Sequence, residues 1–382
     1  MNNRVFWSVT LLIITVDLLV FLIISTFIPH NPRFVYTSNA HLNILNNLAN
    51  FDGVHYARII NDGYTGSDYP FFPLYPVILK FVKNIFMGNI PVAGAAVSIV
   101  SFIAGLVFFK KLLLNLGIRK EDMGWILILL FAFPTSFFFY SVYTESLFFF
   151  FAVSFYYSLF KNQLDLSFLT GVLAGLTRFI GAFLGTPIFI QVLLKSILNP
   201  KSFKYKQLFN LPVLFSPFLG LLIYGLYLKE TTGDFLKFYH SVSIFGEQRS
   251  TNLVVLPQVL YRYLKIFLTS AHNYQYLIAI LEFVIFIFFF LVIVIQIINL
   301  IKKRDKNSER LMILGLFSLI NLLLPTLSGS FSSIPRYALL SLSVFIFLGS
   351  VKNKTIKISL LIFFILLRTI LFSLFSRGYF VS

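Results

Sequence analysis

Residues 51–76 read FDGVHYARIINDGYTGSDYPFFPLYP, a polar stretch dense in ionisable and aromatic side chains within an otherwise apolar chain. Its first acid, Asp52, is a carboxylate that can take the proton from an attacking hydroxyl, the work of a general base. The plainer alternative is a helix N-cap, because Asp followed by Gly-Val-His-Tyr-Ala-Arg-Ile-Ile suits a helix start. His55 and Arg58 follow three and six residues on, with Tyr56 between them, so Asp52, His55 and Arg58 can share one helical face. There a histidine would orient an acceptor and an arginine would attract a phosphate. A solvated interfacial face accounts for the same spacing. Asp62-Gly63-Tyr64 reads as the turn that ends this helix. The run from Pro70 to Pro76 reads as an aromatic belt element, whose ring faces would also suit a sugar or an isoprenoid.

Three shorter stretches add charge. Glu145 sits in YSVYTESLFFFF, either as a first-turn helix charge behind a Thr144 cap or as a site residue at membrane depth. Arg178, in GLTRFIG, and Arg336, followed by Tyr337 in SSIPRYALL, can each bind the phosphate of a lipid-linked donor or snorkel to an interface. Asp17 and Glu282 lie within apolar runs, where interhelical hydrogen bonds are the expected use.

The elements that must position these residues are membrane helices. Of 382 residues 58% are hydrophobic and only 12% charged, against about a quarter in soluble domains, and the mean hydropathy is +0.86. The fold class is therefore all-α, a polytopic transmembrane bundle. Apolar runs at 5–28, 90–109, 124–141, 145–160, 166–178, 180–198, 208–228, 274–301, 311–327, 338–350 and 358–376 predict about eleven spans. One charge, Arg4, precedes the first run, which has no small-residue cleavage site and so reads as an uncleaved span. Residues 71–86, broken by prolines, are expected at the interface. We read the chain as a single domain, 1–382, with large extracytoplasmic loops at 29–89 and 229–273.

The net charge of +17 does not indicate nucleic-acid binding, because Lys and Arg cluster between apolar runs as positive-inside signals do. Eighteen of the 31, from Arg4 through Lys110 and Lys111 to Lys302–Arg310 and Lys352–Lys357, fall in alternate short loops. The polar stretches then all face the non-cytoplasmic side. Without a cysteine the chain has neither disulfides nor thiol catalysis. No Walker A, dinucleotide fingerprint, HExxH or GxSxG is present, and the five histidines are too scattered for a zinc site.

Taken in order, these stretches resemble the PIG-V family, the second mannosyltransferases of GPI-anchor assembly and their prokaryotic relatives. FDGVHYARIINDGY with PFFPLYP is similar to the family's W-D-x-x-H-Y…G-Y…F-F-P-L-Y-P signature, and FAFPTSFFFYSVYTESLFF to its F-x-P-x-S…Y-[ST]-E-S-L-F segment. GLTRFIG resembles its arginine turn and IPRY its C-terminal R-Y. Phe51 stands where the family has Trp, and Phe-Ile-Gly follows Arg178 where Ser-Asn-Gly is more usual. The resemblance implies a GT-C glycosyltransferase that inverts the anomeric carbon, with Asp52 as catalytic carboxylate. It implies a polyprenyl-phosphate sugar donor, most simply mannose, a glycolipid or glycan acceptor, and neither nucleotide nor obligatory metal. His55, Tyr56, Arg58, Glu145, Arg178, Arg336 and Tyr337 would bind substrate. The membrane would be the plasma membrane of a prokaryote or the endoplasmic reticulum of a eukaryote.

A secondary transporter or lipid flippase is the alternative, but transporters place ionisable residues at mid-membrane, usually in paired repeats. Here only Asp17 and Glu282 lie deep, and no internal repeat is evident. The orientation has a direct test, since the chain has no native thiol. Cysteine at Ser67 should react with an impermeant thiol reagent on intact cells, and cysteine at Ser308 only after permeabilisation. The reverse pattern would invert the topology.

Overall fold

The computed structural model describes residues 44–198, 211–245, 250–301, 303 and 305–382, with isolated positions before residue 37. Asp17 with most of the expected first span, and the basic residues Lys201, Lys204, Lys206, Lys302 and Arg304, lie outside the described residues. Everything regular among the described residues is helical. Counting α-helices of five residues or more, the order is α1 (Asp52–Asp62), α2 (Leu74–Val82), α3 (Ile90–Asn115), α4 (Lys120–Ala132), α5 (Glu145–Phe160), α6 (Leu164–Thr177) and α7 (Thr186–Leu198). Then follow α8 (Leu211–Thr232), α9 (Leu256–Thr269), α10 (Tyr274–Ile301), α11 (Lys306–Leu323), α12 (Ile334–Ala338), α13 (Leu342–Gly349) and α14 (Lys354–Ser376).

Among the described residues five segments are long and apolar enough to cross a membrane: α3, α8, α10, α14, and α11 with the short turn to Ser328. Shorter apolar helices include α5 and α6. The expected span at 124–141 is two pieces. Phe133 precedes Pro134 and takes extended backbone, so α4 stops at Ala132 and a 3-10 turn resumes at Ser136–Phe139. The 180–198 run divides likewise into a 3-10 turn, Phe179–Phe183, and α7. In the first loop α2 is amphipathic: Tyr75 and Leu79 are buried while Val77 and Phe81 are exposed beside Lys80. The 229–273 loop contains α9, which the apolar-run reading did not mark, with Val259 and Tyr263 inward and Tyr261, Leu264 and Leu268 outward.

Helices α3, α5, α6 and α8 pack side by side, and α4, α10, α11, α13 and α14 form a second group. Small residues set the closest approach. A Cβ at Gly175 on α6 would lie 2.0 Å from the Pro217 carbonyl oxygen on α8, and one at Gly220 would lie 2.4 Å from the Val172 carbonyl. In lipid such close packing, rather than water exclusion, holds helices together. At one end of the bundle Arg310 ties the starts and finishes of three helices, donating to the Asn115 and Phe160 carbonyls. Glu145 and Arg178 emerge at the other end of α5 and α6.

Because α6 terminates at Arg178, its seat on α8 fixes where that guanidinium emerges. Gly175→Leu should therefore lower unfolding stability by about 1–3 kcal/mol, the usual cost of overpacking, measured as thermal melting in lipid nanodiscs. A melting curve like that of the wild type would show that the α6–α8 contact does not limit stability.

Candidate functional site

Asp52 is the first residue of α1, and its side chain does not cap the helix. Phe51 occupies the N-cap position with no side-chain hydrogen bond, at φ 55°. The N-cap alternative is thereby removed. The Asp52 carboxylate accepts instead from Arg336 Nη1 at 2.6 Å, across 284 positions of sequence. The corner at Phe51 is held from several sides. Tyr143 Oη receives the Asp52 N–H at 3.3 Å and donates to the Asn50 carbonyl at 3.1 Å. Asn50 Nδ2 donates to the Phe375 carbonyl at the end of α14, and the Phe51 ring packs against Phe375 and Phe380. A left-handed φ at a bulky residue costs of order 1–3 kcal/mol and persists only where the surroundings enforce it.

Arg336 reaches the site through α12. Ser333 precedes that helix at φ 66°, and the Pro335 carbonyl accepts from Thr135 Oγ1 at 2.8 Å. Glu282, deep on α10, accepts from the Ser333 N–H at 3.3 Å and from Tyr263 Oη at 2.7 Å. Tyr263 in turn receives the Phe331 N–H at 3.0 Å. The hydrogen bond between α9 and α10 expected of Glu282 is present, and it also fixes the loop that carries Arg336.

Glu145 joins the pair into a chain of four charges. Its Oε1 forms a short ion pair with Arg178 and lies 3.1 Å from Arg336 Nε. Glu145 Oε2 has no hydrogen-bond partner among the described residues. Thr144 precedes α5, with no side-chain cap bond. Arg178 lies over the Tyr337 ring at 5.1 Å, and Arg336 over Tyr143 at 5.5 Å. The structure therefore brings Asp52, Glu145, Arg178, Arg336 and Tyr337 together.

His55 and Arg58 turn to a residue that the motif reading passed over. Asp68, fully buried, accepts from Arg58 Nε at 2.9 Å, lies 2.8 Å from His55 Nδ1, and accepts from Thr65 Oγ1 at 3.0 Å. Burial pushes the Asp68 carboxyl up, but the bonds from His55, Arg58 and Thr65 and the Arg58 charge together outweigh it, bringing it down to about 2. Arg58 thus serves as the counter-ion of Asp68 and closes the loop after α1. The Gly63 turn expected there is present, at φ 83°. His55 stacks on Phe71 at 4.5 Å, and with Nδ1 committed to Asp68 its other ring nitrogen carries what it offers to the cavity. Tyr56 is buried edge-on to Phe71 and Tyr75. The signal for Asp68 was Thr65 three residues ahead of it, a side-chain turn pattern.

These groups surround a cavity of about 430 Å³. Asp52, His55, Tyr56, Arg178, Arg336 and Tyr337 line it, and Phe71, Phe72, Phe179, Phe238, Leu253 and Leu324 make its apolar walls. A cavity with convergent carboxylate and guanidinium groups and a greasy wall fits a ligand that is part phosphate, part hydrocarbon.

The fold and site define an integral, all-helical membrane protein with a charged cavity at one end of its bundle. Residues 25–183 match the family model described as Mannosyltransferase (PIG-V), and the match supports membership of that family. The match supports a membrane mannosyltransferase in general. No curated protein and no solved structure matches the chain. The matched stretch carries Asp52, Asp68, Glu145 and Arg178, while Arg336 lies beyond it and is joined to it by the ion pair with Asp52.

With a folded value near 2, below the ordinary carboxylate range, Asp68 contributes stability that is complete above about pH 4 and lost as pH falls through 2. Asp68→Asn should therefore destabilise by about 1–3 kcal/mol at neutral pH, because the buried acceptor of His55, Arg58 and Thr65 loses its charge. The difference from wild type should shrink on acidification. Equal stabilities at pH 7 would show that the Arg58–Asp68 clasp contributes nothing.

Proposed function

We propose that this protein transfers a mannosyl group from a polyprenyl-phosphate donor to a hydroxyl of a glycolipid or glycan acceptor, on the non-cytoplasmic side, with inversion, as a GT-C enzyme. The observation that carries the reading is that Asp52 and two arginines line one aromatic and aliphatic cavity. A polyprenyl phosphate has those two halves, and arginine is the side chain suited to its phosphate.

The acceptor oxygen attacks the anomeric carbon as its proton passes to Asp52. The bond from that carbon to the phosphate oxygen breaks, and polyprenyl phosphate leaves with the electron pair. Arg178 and Arg336 oppose the charge that develops on it. Asp52 then gives its proton to water. Before the donor arrives, Arg336 donates to the Asp52 carboxylate at 2.6 Å. An entering phosphate competes for that guanidinium and leaves the Asp52 carboxylate open to the acceptor hydroxyl. Glu145, bonded to both arginines, keeps them in place during the exchange.

Transfer from labelled polyprenyl-phosphate-mannose into membrane acceptors, with and without the protein, tests the activity. Asp52→Asn should express and fold like wild type, since its side chain caps nothing, and should lose about 10²–10⁴-fold in transfer. Full transfer by Asp52→Asn would remove Asp52 as the base.

A further inference from the structure

Asn321 takes no part in the chemistry above, yet it bears on both arginines. It lies in the apolar run SLINLLLP, near the C-terminal end of α11, and is wholly buried. Its Nδ2 donates to the Tyr337 carbonyl at 2.7 Å and to Ser341 Oγ at 3.0 Å. A carbonyl can only accept, so the amide nitrogen must be the atom that faces Tyr337. Both amide hydrogens are thus used on the break between α12 and α13. Ser318, one turn earlier on α11, supports the same break: its Oγ accepts the Ser343 N–H at 3.3 Å.

The segment held in this way cannot hold itself. Helix α12 has five residues, too few to be stable without its surroundings. Arg336 and Tyr337 are consecutive on it, and Arg178 lies over the Tyr337 ring. A shift of the backbone at Tyr337 therefore moves the partner of Asp52 and the surface under Arg178 together. From another side Ser382 Oγ accepts the Arg336 N–H at 2.9 Å. The carboxamide has a cost, because Asn321 Oδ1 is buried with no hydrogen-bond partner among the described residues. Leucine would fill the place without that cost. The Tyr337 carbonyl would still accept the Leu340 N–H at 3.0 Å, so no acceptor would be orphaned. Stability of the bundle does not call for an asparagine here, whereas placement of α12 does.

We infer that Asn321 is a positioning residue, which sets α12 so that Arg336 and Arg178 converge on one phosphate. The inference rests on the donor reading proposed above, and its test separates binding from stability without turnover. The chain has no cysteine, so Leu253→Cys, on the wall of the Asp52 cavity, supplies a single thiol. Full-length protein in phosphatidylcholine nanodiscs is alkylated with a maleimide over a series of octyl phosphate concentrations. The concentration that halves the rate is read beside the melting temperature.

Adding Asn321→Leu should raise the half-protecting concentration about tenfold, the order of one well-placed hydrogen bond, with the melting temperature unchanged or higher. A residue that only packs would do the reverse. Asn321→Ala removes the same donor without adding a branch and should weaken protection equally. Ser343→Ala, in the same buried cluster but bonded to Ser318 through its backbone, should leave protection as it was. An unchanged concentration in both Asn321 variants, or an equal rise in Ser343→Ala, overturns the inference and leaves the transferase reading standing. No protection by octyl phosphate even in the parent Leu253→Cys protein overturns both.

Discussion

Four charges held mostly out of solvent are the constraint around which this protein is arranged. Asp52, Arg336, Glu145 and Arg178 form an alternating chain, and Glu145 is wholly buried. Removing even one ion from water costs several kcal/mol after relaxation, and only close, well-directed partners return that cost. The chain is neutral overall, two acids against two bases, which is the composition a low-dielectric pocket tolerates best. Removing any one member leaves the others with a net charge to bury.

Geometry that demanding needs a rigid frame, and the frame is visible in the backbone. Phe51 and Ser333 both hold left-handed conformations, the first next to Asp52 and the second three residues before Arg336. Each is enforced by groups from elsewhere: Asn50, Tyr143 and the end of α14 for Phe51, and Glu282 with the Thr135–Pro335 bond for the α12 loop. The strain is local and the restraint is distributed. Close helix packing, as at Gly175 and Gly220, carries the same rigidity through the membrane-spanning part to Arg178.

How much of this the sequence discloses depends on the range of the interaction. The all-helical class, most helix positions and the amphipathic α2 follow from apolar runs and prolines, which act within a turn or two. The broken 124–141 segment shows the limit: Pro134 marked the break, but hydropathy alone carried the run through it. The types and places of Asp52, Glu145, Arg178 and Arg336 are legible because ionisable groups are conspicuous in an apolar chain. Their meeting is not, since it depends on tertiary contacts such as one spanning 284 positions. Asp68 was missed for a related reason. In Thr-Gly-Ser-Asp it looks like an ordinary solvated turn, and only burial against His55 and Arg58 makes it a structural anchor.

The division of labour between the two arginine-linked acids explains why both are present. If Asp52 were the only acid, its guanidinium partner would move away when a phosphate arrived, and nothing would hold it near the reacting carbon. Glu145 prevents that, because its single carboxylate contacts Arg336 and Arg178 together and is buried where no phosphate replaces it. Asp52, by contrast, lines the cavity and keeps about a quarter of its side-chain surface open. The buried acid suits an immobile clamp, and the open one suits proton exchange. In the proposed reaction this asymmetry selects Asp52 as the base: a base must be reachable by the acceptor hydroxyl and by water, and Glu145 is reachable by neither.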